Sequence, residues 1–120
     1  MRRTPYAIRR THSASSTQYL YAIFTTNLLL MKQRAHVYYS GSVQGVGFRF
    51  TVREIAEELG VVGWVKNLRD TRVEVVAESE EDTVKKFLES VVAHFSKYIQ
   101  DADVQWCPAT GEFKEFTIAF

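Results

Sequence analysis

The chain has 120 residues, 46% hydrophobic and 24% charged, so one soluble globular domain is the expectation. A single cysteine, Cys107, excludes an intrachain disulfide and a cysteine-based zinc site, and His12, His36 and His94 are too scattered to form a ligand motif. The net charge of +1 conceals a division: residues 1–30 hold Arg2, Arg3, Arg9 and Arg10 and no acid, whereas residues 31–120 hold eleven Lys and Arg against fourteen Asp and Glu. That acidic excess argues against nucleic-acid binding, which needs a basic face.

Residues 1–30 are rich in Arg, Ser and Thr and carry one apolar patch from Leu20. Three readings fit them: a targeting segment, a disordered extension, or translated sequence upstream of a natural start at Met31. The last is preferred, because everything needed for a closed domain lies in 31–120. The apolar patch is too short to span a bilayer, so no membrane partner is expected.

From Met31 the pattern is regular. "RAHVYYSG" alternates with a β-branched and aromatic bias and predicts a strand near 34–41. "FRFTVREIAEELG" places Val52, Ile55, Ala56 and Leu59 on one helical face, with Gly60 as the C-cap. "VVGWVKN" predicts a strand at 61–67. "RVEVVAE" predicts another at 72–78, with Val73, Val75 and Ala77 on one face and "NLRDT" as the hairpin between them. Ser79 reads as an N-cap, with Asp82 three residues on. The helix that follows carries the stripe Val84, Phe87, Leu88, Val91, Val92 and Phe95, and its early acids Glu80, Glu81 and Asp82 suit the positive end of the helix dipole. "ADVQWCP" and "FKEFTIAF" supply a fourth strand and a short fifth.

The order β-α-β-β-α-β plus one added strand predicts an α+β, ferredoxin-like two-layer sandwich, an antiparallel sheet with two helices on one face. That architecture hosts many functions and names none of them.

The chemistry is concentrated in "SGSVQGVGFR", residues 40–49, which holds three of the six glycines. Glycines permit positive φ and let a ligand approach the backbone. Successive N–H groups can then form an anion-binding nest, and the helix that follows adds unpaired N–H groups. Arg49 adds a permanently charged fork suited to phosphate oxygens. A Walker loop needs Lys followed by Ser or Thr where Phe48 and Arg49 stand, and the GxGxxG pattern fails at Phe50. On these residues alone the stretch is either an anion site or a flexible turn with an exposed arginine. Asn67, closing its strand, is either a turn former or an amide able to hold a water.

The two stretches "SGSVQGVGFR" and "GWVKNLRDTRVE" together resemble the acylphosphatase family, through Gly41, Val43, Gln44, Gly45, Val46, Phe48 and Arg49 and then Gly63, Trp64, Val65, Lys66, Asn67 and Val73. The likeness extends over residues 31–120 and leaves 1–30 uncovered. It implies hydrolysis of the carboxyl–phosphate bond of acyl phosphates to a carboxylate and inorganic phosphate, with no metal and no cofactor. By the same resemblance Arg49 and the loop Val43, Gln44, Gly45, Val46, Gly47 and Phe48 hold the phosphoryl group, and Asn67 orients the attacking water. A cytoplasmic monomer acting on a small-molecule substrate is the expectation.

Two positions depart from the family pattern: Thr71 and Ser79 stand where glycine is usual. Two other readings were weighed. One is a noncatalytic or carbamoyl-phosphate-binding relative, like the domain at the front of hydrogenase-maturation carbamoyltransferases. A lone domain leaves no room for the remaining parts of such an enzyme. The other is an RNA-binding module using Tyr38, Tyr39 and Trp64, which alternation opposes by sending Tyr38 and Tyr39 to opposite faces.

Overall fold

The computed structural model describes residues 32–120. The proposed extension 1–30 and a start at Met31 lie outside the described residues. Strand β1 runs over Lys32–Gly41, helix α1 over Phe48–Leu59, β2 over Val62–Asn67, β3 over Val73–Glu80, helix α2 over Glu81–Phe95, β4 over Ile99–Pro108 and β5 over Phe116–Ala119.

The sheet order is β4-β1-β3-β2-β5. Its first four strands are antiparallel to their neighbours, as the pattern predicts. The fifth joins in parallel, with Gly63 opposite Phe116 and Lys66 opposite Ala119, so the complete sheet is mixed. On its other side Gly63 allows a close approach to β3: with φ at 140°, an added Cβ would lie 1.8 Å from the carbonyl oxygen of Val76.

Alternation divides the sheet into two faces. Ala35, Val37 and Tyr39 of β1, with Val73, Val75 and Ala77 of β3, turn into one core together with both helices. Helix α1 contributes Val52, Ile55 and Ala56 to it, and Gly60 ends the helix by donating to the carbonyls of Ala56 and Glu57. Helix α2 contributes Val84, Phe87, Leu88, Val91 and Phe95, with Val92 packed at the margin.

The opposite face is polar and aromatic. Tyr38 points there, donates to Glu74 at 3.1 Å and lies under the Arg72 guanidinium at 4.7 Å. Glu78 is also on this side yet only 2% exposed. It accepts from Arg34 Nε at 2.7 Å, the Thr110 N–H at 2.9 Å and the Gly111 N–H at 3.1 Å, and so pins the segment that leads into β5.

One local expectation fails. Ser79 is not an N-cap; it sits within β3 opposite Gln33, and the α2 cap position falls to Glu80, which makes no side-chain cap bond. Pairing of β1 with β3 runs on to Lys32 and Glu80, so the ladder claims the backbone that a capping serine would have left free. Glu81 and Asp82 do occupy the first turn of α2.

Candidate active site

The loop between β1 and α1 is held at both ends by apolar anchors. Val43 and Phe48 are buried, and the Phe48 ring packs between Tyr39 and Phe95, with centroids 5.3 and 4.7 Å away. Between the anchors, Gly45, Val46 and Gly47 are exposed. Gly45 and Gly47 adopt φ values of 82° and 77°. An added Cβ would meet nothing within 4 Å at either, so glycine is needed for conformation and not for space.

Gly47 is also the N-cap of α1, and its carbonyl accepts the first helical bond, from Thr51 N–H at 3.1 Å. The N–H groups of Phe48, Arg49 and Phe50 therefore precede the helical ladder. No side chain caps them and no acid lies in the first turn, so the positive end of the helix is not neutralised by the protein's own carboxylates.

Arg49 and Asn67 line one cavity of about 200 Å³, together with Val43, Gly45, Gly47 and Phe48 of the loop. Gln44 and Val46 do not line it. Arg49 is the only ionisable side chain among the lining residues. The Oδ1 atom of Asn67 is buried and has no hydrogen-bond partner among the described residues, an arrangement that leaves an acceptor available beside the cation. Among the described residues no group of three His, Cys, Asp or Glu side chains comes together as a metal ion would require.

Asn67 is carried to the cavity by the end of β2, and the turn beyond it is well tied. Leu68 N–H donates to the Arg72 carbonyl at 2.8 Å and Thr71 N–H to the Leu68 carbonyl at 3.3 Å. Asp70 accepts from the Arg72 guanidinium at 2.9 Å and from its N–H at 3.2 Å, and these bonds hold its carboxyl below the usual aspartate range. Gln44 reaches across from the glycine loop: its Nε2 donates to the Leu68 and Arg72 carbonyls at 2.8 and 2.9 Å.

Three lining residues carry no site role in the sequence pattern: Phe50, Ile118 and Phe120. Phe50 follows Arg49 directly. Ile118 and Phe120 arrive because β5 runs parallel to β2, which brings residue 120 level with Asn67. The Phe120 ring lies 5.3 Å from the Arg49 guanidinium carbon. Only the exposed alternation of "FTIAF" beside an unassigned edge could have hinted at this.

Known proteins place the sequence and the fold. The family model described as Acylphosphatase matches residues 35–118. An acylphosphatase of Roseiflexus sp. is 46% identical over 86 residues, covering 71% of this chain and 92% of that protein. The crystal structure of acylphosphatase from Bacillus subtilis matches with a TM-score of 0.67 at 31% identity, over 73% of this chain and 99% of that one. The crystal structure of T. kodakarensis HypF matches with a TM-score of 0.65, but over 12% of its own length. With the family model spanning most of the sequence and a relative covered nearly end to end, the chain belongs to the acylphosphatase family.

Proposed function

We propose that this acylphosphatase hydrolyses its substrate in the cavity shared by Arg49 and Asn67. The observation that carries the proposal is their joint presence there: one permanent cation, and one buried amide oxygen without a partner among the described residues.

The phosphoryl group lies against Arg49 and the N–H groups of the Val43–Phe48 loop and first turn of α1. Asn67 Oδ1 accepts a hydrogen bond from water and aims its oxygen at phosphorus. A P–O bond forms to that water and the P–O bond to the acyl group breaks. The bonding pair leaves with a carboxylate, a stable anion and hence a good leaving group. The water's proton passes to a phosphoryl oxygen, and the products are a carboxylate and inorganic phosphate. Such a reaction needs positioning and charge stabilisation more than covalent help. That suits a cavity whose lining side chains, among the described residues, include no carboxylate or imidazole to act as a base.

We propose that the enzyme acts as a monomer on a small-molecule acyl phosphate. Among the described residues no helix is long and apolar enough to cross a membrane. We propose a cytoplasmic location, in keeping with a small-molecule acyl phosphate substrate.

Loss of benzoyl phosphate, followed in the ultraviolet with and without chelator, tests the reading. Turnover that survives chelator and is inhibited by inorganic phosphate is expected. Phosphate binding without turnover would turn the assignment toward a noncatalytic relative.

A further inference from the structure

The hairpin that delivers Asn67 is held from both faces of the sheet, and both holds close on Arg72. Asn67 pairs with Val73 across the β2–β3 ladder, and the next rung joins Leu68 N–H to the Arg72 carbonyl at 2.8 Å. Gln44 donates to that same carbonyl at 2.9 Å from the glycine loop. The Arg72 side chain goes the other way, to the outer face of the sheet, where Tyr38 lies.

There the Arg72 guanidinium sits 4.7 Å from the Tyr38 ring centroid and pairs with Asp70 Oδ2 through Nε and Nη2, both at 2.9 Å. Tyr38 is itself fixed: its hydroxyl donates to Glu74 Oε2 at 3.1 Å, an oxygen that His36 Nε2 also meets at 2.6 Å, and the His36 ring stacks on it at 5.0 Å. An exposed ion pair alone contributes little. This one joins a turn to a central strand, because Asp70 belongs to the turn and Tyr38 to β1. Between Asp70 and Arg72 stands Thr71 at φ 77°, a conformation that a β-branched residue resists. The clamp therefore closes over the one residue of the turn that strains against it.

We infer that Arg72 is a positioning residue for the reaction: seated on Tyr38, it holds the 68–71 turn so that the Asn67 amide keeps one orientation at the cavity. The inference rests on Asn67 acting on the attacking water. Neither Arg72 nor Tyr38 lines the cavity, so both act through the hairpin. Arg49 and the glycine loop are left as they are, so the effect falls on rate and not on phosphate affinity.

Arg72→Met keeps the bulk and every backbone bond of the turn but loses the ion pair and the cation over the ring. It should lower kcat for benzoyl phosphate roughly three- to tenfold, the mark of a small misplacement, with the inhibition constant of inorganic phosphate within about twofold of wild type. Tyr38→Leu should do the same, and Tyr38→Phe, which keeps the ring, should stay near wild type. The double variant Tyr38→Leu with Arg72→Met should be no slower than either alone, because the two side chains act as one unit. The Asn67 side-chain amide resonances, followed by nitrogen-15 NMR, should move in Arg72→Met and Tyr38→Leu and hold still in Tyr38→Phe. A merely structural contact would lower the melting temperature and leave kcat of the folded enzyme unchanged. That result, phosphate affinity falling in step with kcat, or losses that multiply in the double variant overturns the inference. The amide resonances report even if wild type hydrolyses no acyl phosphate: moved, they uphold the positioning while the hydrolase reading fails; unmoved, they overturn it.

Discussion

Gln44 Nε2 donates to the carbonyl oxygen of Leu68 at 2.8 Å, joining the glycine loop to the residue that follows Asn67. Its second bond, to Arg72, spans the base of the same turn. The side chain thus ties together the two halves of the candidate site, the glycine loop and the turn after Asn67, and sets their relative position.

Gln44→Met should therefore impair turnover more than anion binding. Both carbonyls keep their backbone partners, so nothing buried is orphaned, and the stability loss should be about 1–2 kcal/mol. We expect kcat to fall roughly tenfold, on the scale of about 1.4 kcal/mol of misplacement, with inhibition by inorganic phosphate little changed. An inhibition constant rising in step with the loss of kcat would assign Gln44 to the loop alone.

Arg49 and Asn67 should separate by kinetic signature. Arg49→Ala removes charge felt by ground state and transition state alike, so phosphate affinity and rate should both fall, kcat/KM by roughly 10²–10³ or more. Asn67→Ala should lower kcat by roughly 10²–10³ while phosphate still binds. Steady-state kinetics with phosphate as competitive inhibitor measures both. Near-full turnover by Asn67→Ala would remove it from the mechanism.

Thr71 is a β-branched residue at φ 77°, the left-handed conformation that its family usually gives to glycine. It ends a three-residue turn of the kind that places its last residue there. The strain is about 1–2 kcal/mol, partly offset in a glycine variant by the added freedom of the unfolded chain. Thr71→Gly should raise the melting temperature by a few degrees, with activity retained; calorimetry and benzoyl phosphate turnover check both.

Glu78 links stability to pH. Burial pushes its carboxyl up, but the Thr110 N–H, the Arg34 guanidinium and the Gly111 N–H outweigh burial and hold it below the ordinary glutamate value of 4.5. A depressed folded-state pKa contributes stability that is present above the unfolded value and lost as pH falls through the folded one. Urea midpoints measured from pH 7 down to pH 3 should decline, and Glu78→Gln should lower the pH 7 midpoint and flatten that decline. An unchanged slope in the variant would exclude Glu78 as the titrating group.

What could be read from the sequence follows the range of the forces involved. The stripe Val52, Ile55, Ala56 and the stop at Gly60 were legible because one-sided burial and a left-handed cap leave local marks. Arg49 and Asn67 were legible through two motifs. Ser79 misled because a local capping signal lost to a ladder with a strand more than forty residues away. Gln44 reads as part of the phosphate loop, yet its side-chain partners lie 24 and 28 residues on, beyond any local pattern. Phe120 was legible as a strand-end residue, and only the parallel pairing of β5 with β2 turns it into cavity wall.

That pairing has a dynamic consequence. β5 is a four-residue edge strand, hydrogen-bonded to a single neighbour, whereas β1 and β3 are flanked on both sides. Short edges occupy the low end of a protein's local stabilities. The cavity wall at β5 is therefore the part of the fold that can breathe first, while the β1–α1 loop, anchored by Phe48 in the core, stays in place. Amide exchange should be fastest along β5 and slowest along β1 and β3, a gradient running across the sheet from its mobile edge to its core.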